Sequence, residues 1–173
     1  MSRPKMNCLL AALFFVLLPF AVSTAAPAAE SALKASEITS KIFPEQVFFR
    51  GQVALVQMRN TGGVHFSDDA YVLAGMVDSS GYSTAIRQKY QAYLISEVGL
   101  EIGGQKLPPG AYGIGFVTGD RFMVMDLGAH DLFGVDSAKD SEIKRPVPMQ
   151  IVGNAGKYRL YSGRNYVEFA RGQ

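Results

Sequence analysis

Apolar residues recur at every second position over most of the chain after Glu45, in short runs separated by turn residues. This period of two predicts β-strands, whose side chains alternate between two faces. Turn residues interrupt the runs at intervals of roughly 8–12 residues, a spacing typical of all-β sandwiches and barrels. We therefore expect a mostly β fold, with a single antiparallel β-sandwich or barrel-like domain of about 8–10 strands. The longer predicted strands span residues 46–58, 71–77, 90–98, 111–117, 121–127, 149–152, 157–161 and 165–170.

Two segments depart from the strand pattern. In residues 31–43 the apolar positions Leu33, Ala35, Ile38 and Ile42 have the spacing of one helical face, and Pro44 disfavours helix at the residue before it. The pattern predicts a short N-terminal helix, which either packs on the sheet or binds a partner. A second helical turn is predicted from Ser83, a good N-cap residue, to Gln88. The clusters 60–63 and 136–148 are predicted to be a turn and a polar loop.

Residues 100–117, LEIGGQKLPPGAYGIGFV, hold five glycines. Gly103-Gly104 predicts a tight hairpin turn, and Pro108-Pro109-Gly110 predicts a second turn before the strand 111–117. Within that strand, Tyr112 shares one face with Ile114 and Phe116, and the opposite face is nearly bare.

Gly113 and Gly115 lie on this bare face, and glycine weakens a strand interior. Either a neighbouring aromatic side chain lies across the backbone there, or the face is a shallow ligand groove. The candidate ligand-binding residues are Gly113, Gly115, Tyr112 and Tyr93, since tyrosines on a sheet can stack on sugars or contact peptides.

The stretch 98–112, with Gly103-Gly104, Leu107-Pro108 and Gly110-Ala111-Tyr112, resembles a family of exported bacterial all-β domains of unknown function. Those domains carry a Gly-Gly-x-x-Leu-Pro-x-Gly-x-Tyr hairpin followed by a pair of strands. The resemblance covers roughly residues 90–127, about a quarter of the chain. It implies an exported β-domain and assigns no catalytic residue.

The N-terminal residues have the layout of a secretory signal peptide. Arg3 and Lys5 precede a continuous apolar run at 9–22, and small residues follow it. The run is shorter than a membrane span of about 20 residues and contains Pro19, so cleavage rather than anchoring is expected. We expect a signal peptide at 1–28, a mature chain beginning near Ala26 or Ala29, and a single β-rich domain at 29–173.

Loss of this leader changes the inferred chemistry. Cys8 is the single cysteine, so the mature chain would have neither a disulfide nor a reactive thiol. The 17 basic residues fall to 15 without Arg3 and Lys5, which equals the 15 acidic residues. Such a balance argues against nucleic acid or an acidic membrane as the main partner.

Candidate chemistry is sparse. His65 precedes Asp68-Asp69, and His130 lies between Asp126 and Asp131. If these loops met, His65, His130 and Asp131 could bind a divalent metal, although their spacing matches no ligand motif. The chain also has no Gly-x-Ser-x-Gly nucleophile elbow and no phosphate-binding loop.

Three functions remain open on this sequence. The first is an exported, non-enzymatic binding or cell-envelope-associated module, whose partner is an unknown small molecule or envelope protein. The alternatives are a metal-assisted hydrolase using His65, His130 and Asp131, and a β-barrel carrier of a small apolar ligand. We expect no cofactor, no nucleic-acid partner, no stable membrane span after leader cleavage, and a periplasmic or extracellular location.

Overall fold

The computed structural model describes residues 29–172. The predicted signal peptide at 1–28, with Cys8, lies outside the described residues. Within them the chain forms strands β1 to β14 and one short helix, α1. Their bounds are β1 Ser31–Lys34, β2 Gln46–Phe49, β3 Gln52–His65, β4 Tyr71–Val77, α1 Thr84–Arg87, β5 Ala92–Ser96, β6 Leu100–Ile102, β7 Gln105–Leu107, β8 Gly110–Val117, β9 Arg121–Met125, β10 Asp131–Asp136, β11 Ala138–Lys139, β12 Gln150–Asn154, β13 Lys157–Ser162 and β14 Asn165–Arg171.

The strands form two antiparallel sheets that do not close into a barrel. The first sheet has the order β1-β3-β4-β5-β8-β9-β10, and β2 pairs with the N-terminal part of β3. The second sheet has the order β12-β13-β14-β6-β7, and β11 pairs with β14. The prediction of a mostly β, sandwich-like domain is therefore confirmed, although the described residues form 14 strands and not the expected 8–10.

The main hydrophobic core lies between the two sheets. Strands of the first sheet contribute one half of it and strands of the second sheet contribute the other. Because successive side chains of a strand point to opposite faces, each strand supplies every second residue to this layer. The central buried side chains are Val72, Leu94, Ile114, Val124, Leu100, Leu160, Val167 and Phe169.

A second core lies on the opposite face of the first sheet. It is covered by β2 and the first residues of β3, a pair that we call the outer hairpin (residues 46–55). At the tip of the outer hairpin, the Arg50 N–H donates a hydrogen bond of 2.7 Å to the Leu127 carbonyl, beyond the end of β9. The first sheet is thus buried on both faces, which explains why the residues of β4 and β5, apart from Ser96, are apolar and do not alternate with polar ones.

β3 belongs to both layers. A register shift between Val56 and Thr61 separates the outer hairpin from the part of β3 that pairs with β4 in the first sheet. Such bulges bend a strand and increase its twist. The prediction of one strand over 46–58 is wrong, because the chain reverses at Arg50-Gly51, where both residues have positive φ (46° and 76°). Hairpin turns of this type usually carry Asn or Asp before the Gly, so the pair Arg50-Gly51 did not indicate a turn in the sequence.

The predicted turn at 60–63 is also wrong, since these residues lie within β3. A Cβ atom on Gly62 would lie 2.5 Å from the Ile151 nitrogen of β12. Gly62 therefore allows the backbones of the two sheets to approach closely at this edge. Gly62, which looked like a turn residue in the sequence, is needed instead for this close packing.

The predicted N-terminal helix over 31–43 is wrong. Residues Ser31–Lys34 form β1, an edge strand that pairs with residues 62–65 of β3. Ile38 and Phe43 follow in turns and bury their side chains in the second core. Helical spacing over so short a segment is a weak preference, and hydrogen bonding to an available sheet edge overrides it.

Most other elements agree with prediction. The strand at 71–77 and the helical turn after Ser83 are present, although the Ser83 side chain makes no capping hydrogen bond. Gly103-Gly104 forms the tight turn between β6 and β7 with φ of 53° and 81°. The C-terminal meander of β12, β13 and β14 is confirmed. The sequence pattern did not predict β10, nor β11 within the polar segment 136–148.

The bare face of β8 packs against protein. A Cβ on Gly113 would lie 2.5 Å from the Phe49 ring and 3.1 Å from the Tyr90 ring. These two rings are stacked with centroids 3.8 Å apart. A Cβ on Gly115 would collide with the Lys89 carbonyl oxygen. Of the two sequence-based interpretations, the structure supports an aromatic lying across the backbone at Gly113, and a close backbone contact at Gly115.

We expect Gly113→Ala and Gly115→Ala each to lower the free energy of unfolding by about 1–3 kcal/mol, because no space exists for a methyl group. Gly115→Ala should cost more, since the obstacle there is backbone. Gly99→Ala is the matched control: its nearest atom would lie 3.9 Å from the new Cβ. Urea unfolding of the three variants tests this, and equal stability of Gly113→Ala and Gly99→Ala would contradict the packing account.

The tyrosines under the outer hairpin differ in hydrogen bonding. The Tyr82 hydroxyl donates to the carbonyls of Phe49 (3.0 Å) and Gln52 (3.2 Å), which fixes the hairpin turn over the sheet. The Tyr90 hydroxyl is buried and has no hydrogen-bond partner among the described residues. Burial raises the pKa of Tyr90 far above its usual value, so the group is neutral at any physiological pH.

We expect Tyr90→Phe to leave the free energy of unfolding unchanged or to raise it by up to about 1 kcal/mol, because the lost hydroxyl satisfies no partner. Tyr82→Phe should lower it by about 1 kcal/mol, since the hydroxyl bonds to the Phe49 and Gln52 carbonyls are lost. Thermal unfolding of both variants checks the contrast, which equal losses of stability would refute.

Candidate functional site

The predicted ligand-binding residues do not converge. Tyr93 and Gly113 are cross-strand partners on the face covered by the outer hairpin, and the buried Tyr93 hydroxyl donates to the Phe48 carbonyl at 3.5 Å. Tyr112 lies on the opposite face of β8, and its hydroxyl donates to the Pro108 carbonyl at 2.9 Å. Burial raises the pKa of Tyr93 and of Tyr112, so neither supplies a phenolate. The space beside Gly113 and Gly115 is filled by other atoms of the protein.

The predicted metal-binding residues also lie apart. His65 ends β3, bonds to Asp69 at 2.7 Å and stacks on Tyr71 with ring centroids 4.4 Å apart. His130 precedes β10 and bonds to Asp126 at 2.9 Å. Three strands of the first sheet separate β3 from β9, which places the two histidines roughly 19 Å apart at a strand spacing of about 4.8 Å.

Each of these groups already has a local partner. Asp131 forms an ion pair with Lys89 at 2.5 Å. The Asp126 carboxylate accepts hydrogen bonds from the His130 backbone N–H and from the His130 ring. These bonds, of which the backbone one has the larger effect, hold the pKa of that carboxyl below its usual value. Among residues 29–172, no group of three or more His, Cys, Asp or Glu side chains is placed to hold a metal ion.

A cleft with a volume of about 560 Å³ lies on the outer face of the second sheet. We call it the outer cleft. It arises because β6, β12, β13 and β14 point alternate residues away from the core, and a small residue, Ala170, occupies the outward position next to the end of β14. The residues lining it are Glu101, Gly103, Gly104, Val152, Gly153, Lys157, Tyr158, Arg159, Tyr161, Glu168, Phe169 and Ala170.

Cross-strand pairing places charges on the rim of the outer cleft. The Arg159 guanidinium is fixed, because Nε donates to Glu168 at 3.0 Å and its Cζ lies 4.6 Å over the Tyr166 ring. One row along the sheet, Ala170 is paired with Glu101 on β6 and lies beside Lys157 on β13. Lys157 and Glu101 form no ion pair with any residue in 29–172.

The polar segment before β12 contacts Tyr161, one of the residues that line the outer cleft. The Asp140 carboxylate accepts a hydrogen bond of 3.0 Å from the Tyr161 hydroxyl, and the Asp140 N–H donates to the Arg164 carbonyl. Tyr161 is consequently buried although it points away from the main core. Burial raises the pKa of Tyr161, so its hydroxyl remains a neutral donor.

The acidic residues of the outer cleft lie at its surface. The two acids of the outer cleft, Glu101 and Glu168, are exposed, and Glu168 is neutralised by Arg159. The cleft combines small and apolar groups with charges of both signs, a composition typical of ligand sites.

The sequence pattern did not predict the outer cleft. The strand prediction implied that Lys157, Arg159 and Glu168 point to solvent, since they alternate with buried residues. It could not show which strands are neighbours, so the juxtaposition of Glu101 with Ala170 and Lys157 was not apparent. A small residue at an outward strand position, flanked by charged ones, is the signal that could have pointed to it.

We expect His65→Ala and His130→Ala to leave the metal content and the fold unchanged, because each imidazole contacts only nearby residues. His65 bonds to Asp69 and stacks on Tyr71, and His130 bonds to Asp126. Elemental analysis by mass spectrometry after dialysis against zinc or calcium is the measurement, with circular dichroism as the folding control. Stoichiometric metal in the wild-type protein that either substitution removes would contradict this expectation and favour the hydrolase.

In the part of the chain that the structure describes, no helix has the length and apolarity needed to span a membrane. Comparison of the chain with protein-family models, with curated proteins and with solved structures gives no match. The outer cleft and its immediate surroundings therefore carry the functional argument alone.

Proposed function

We propose that the protein is an exported, non-enzymatic binding module that holds its ligand in the outer cleft. The observation that carries the proposal is the geometry of that cleft. Lys157 and Glu101 stand on either side of Ala170 without ion-pair partners among the described residues, above a floor of small and apolar groups. Export is supported by the leader-like residues 1–28.

The chemistry of the cleft points to a ligand that carries both charges. Two strand spacings separate Lys157 from Glu101, which corresponds to about 10 Å between their backbones. A short peptide or another zwitterion of that length can place a carboxylate at Lys157 and an ammonium at Glu101. Its middle portion would rest on Ala170, which lies between Lys157 and Glu101.

The carrier alternative has little support in the packing. A carrier needs an internal cavity, and the space between the sheets near Leu94 and Leu160 is about 10 Å³. That volume is at the lower limit for a single water molecule. The apolar interior therefore stabilises the fold, and binding is assigned to the outer surface.

We expect Ala170→Tyr to abolish binding while preserving the fold. Ala170 points away from the core, and tyrosine is a favourable strand residue, so the new ring should fill the outer cleft without disturbing packing. The measurement is a titration with a panel of dipeptides, followed by NMR chemical shifts. Wild-type protein should show shifts at Lys157, Glu101 and Ala170, and the variant should show none.

Leu132→Tyr is the matched control, because Leu132 is exposed on β10 of the first sheet and lies outside the outer cleft. It should bind as wild type does. Reversal of the two charges, by Lys157→Glu with Glu101→Lys, should retain zwitterion binding but invert the ligand orientation. Shifts located elsewhere on the protein, or equal shifts in Ala170→Tyr, would contradict the proposed site.

A further inference from the structure

The outer hairpin presents an apolar face to solvent. Phe48, Val53 and Leu55 are exposed to 57%, 61% and 55% of their surface. Phe48 and Val53 are directly opposite each other across the two strands, and Leu55 follows on the same face one row away. The inner face of the same strands is buried against the first sheet through Val47, Phe49 and Ala54. The strands are thus apolar on both faces, a pattern typical of strands covered on both sides.

The second sheet shows what a solvated outer face of this protein looks like. Its outward residues include Lys106, Glu101, Glu168 and Arg159, all charged. The outer hairpin has an apolar cluster at the equivalent outward positions. Contiguous exposed apolar residues of this kind mark interaction surfaces more often than scattered ones do.

The two ends of this apolar face carry opposite charges. At the Leu55 end, the Glu45 carbonyl accepts a hydrogen bond from the Val56 N–H, and the Asp78 N–H donates to the Leu55 carbonyl, each at 2.8 Å. At the other end, the exposed Arg50 occupies the hairpin turn. None of Glu45, Asp78 and Arg50 forms an ion pair with a residue in 29–172.

A groove of about 520 Å³ adjoins the acidic end. It is lined by Glu45 and by residues 55–60, where β3 bends, and Leu55 and Met58 supply its apolar wall. Arg59 also lines it, so the acidic end is mixed and not uniformly negative. The groove lies one row from Phe48, the largest exposed side chain of the face.

We infer that this face binds the same face of a second copy of the chain. A two-fold axis in the plane of the face, crossing the strands between the Phe48–Val53 row and the Leu55 row, reverses the strand direction. It lays β2 over β2 and β3 over β3, so that Val53 of each copy meets Leu55 of the other and Phe48 meets Gln46, which is beside Leu55. Arg50 of each copy comes close to Glu45 of the other. The apolar centre and the opposite charges at the two ends make the surface complementary to itself, as an isologous dimer requires.

The alternatives fit less well. An anionic membrane would attract Arg50 but repel Glu45 and Asp78, which flank the same apolar residues. Edge-to-edge pairing through β2 is hindered, because the Phe48 and Phe49 carbonyls already accept hydrogen bonds from Tyr93 and Tyr82. Three side chains cover less than the roughly 800 Å² that each partner buries in a stable complex, so the dimer is reversible and depends on concentration.

Sedimentation velocity over a concentration series, on protein purified after export of the full chain, tests the dimer. The wild type should shift from monomer to dimer as concentration rises. Phe48→Ser combined with Val53→Thr should weaken the affinity of the dimer about a hundredfold or more. The interface is symmetric, so each substitution removes an apolar contact from both copies. Leu132→Ser, which removes an exposed apolar residue from another strand, should leave the dimer unchanged.

A charge exchange distinguishes this arrangement from other interfaces. Arg50→Glu alone and Glu45→Arg alone should each weaken the dimer about tenfold, since two exposed ion pairs are replaced by repulsion. Arg50→Glu with Glu45→Arg should restore it. Within one chain these residues lie at opposite ends of β2, roughly 17 Å apart, so restoration requires contact between copies.

Three results would overturn the inference. One is a wild-type protein that remains monomeric at every concentration. Another is a dimer that the Phe48 and Val53 substitutions leave intact, or that the double charge exchange does not restore. The third is binding of the monomer to vesicles of phosphatidylcholine and phosphatidylglycerol that is lost in Phe48→Ser, which would assign the face to a membrane.

Discussion

The packing of the Phe49 ring against the bare backbone of Gly113 is the contact on which the layered arrangement depends. It allows the outer hairpin to lie close to the first sheet, with Tyr90 stacked on the Phe49 ring and also close to Gly113. Because the hairpin covers that face, the first sheet can be apolar on both sides, and the main core is free to form against the second sheet. The hydroxyl of Tyr82 then holds the turn of the hairpin in place.

Two outward surfaces remain after this packing, and they differ in chemistry. The second sheet presents the outer cleft, with charges of both signs around Ala170. The outer hairpin presents an apolar face on the opposite side of the molecule. If two copies associate through their hairpins, the outer clefts face away from each other and stay open. A ligand or partner with two binding epitopes could then engage both clefts, and its apparent affinity would rise through effective concentration.

The sequence predicted the strands more reliably than their arrangement. Period-two patterns identified β4, β8 and the C-terminal meander, because alternation depends only on local residues and one buried face. Local glycine signals were ambiguous: Gly103-Gly104 forms the expected turn, whereas Gly62-Gly63 lies inside β3. What separates the two cases is the backbone of β12 packed against Gly62, a contact distant in sequence.

The same limit applied to the candidate sites. Gly113 was correctly recognised as a position of close approach, but the approaching ring, Phe49, belonged to a hairpin whose turn had not been predicted. His65 and His130 are adjacent to acids in sequence, and the structure uses those acids as local hydrogen-bond partners. The outer cleft depends on the register of β6 with β14, which no local pattern encodes.

The contact between Gly62 and the backbone at Gln150–Ile151 has a consequence for how the chain acquires its structure. It joins residue 62 of β3 to residues 150 and 151 of β12, so this edge of the sandwich cannot close until β12 has been synthesised. Contacts of such long sequence separation slow folding, because loop-closure entropy is lost before the contact is gained. A sandwich whose edge closes late does not reach its final compact form before β12 is made. That order is compatible with the proposed export, since early compaction would block passage through a secretion channel.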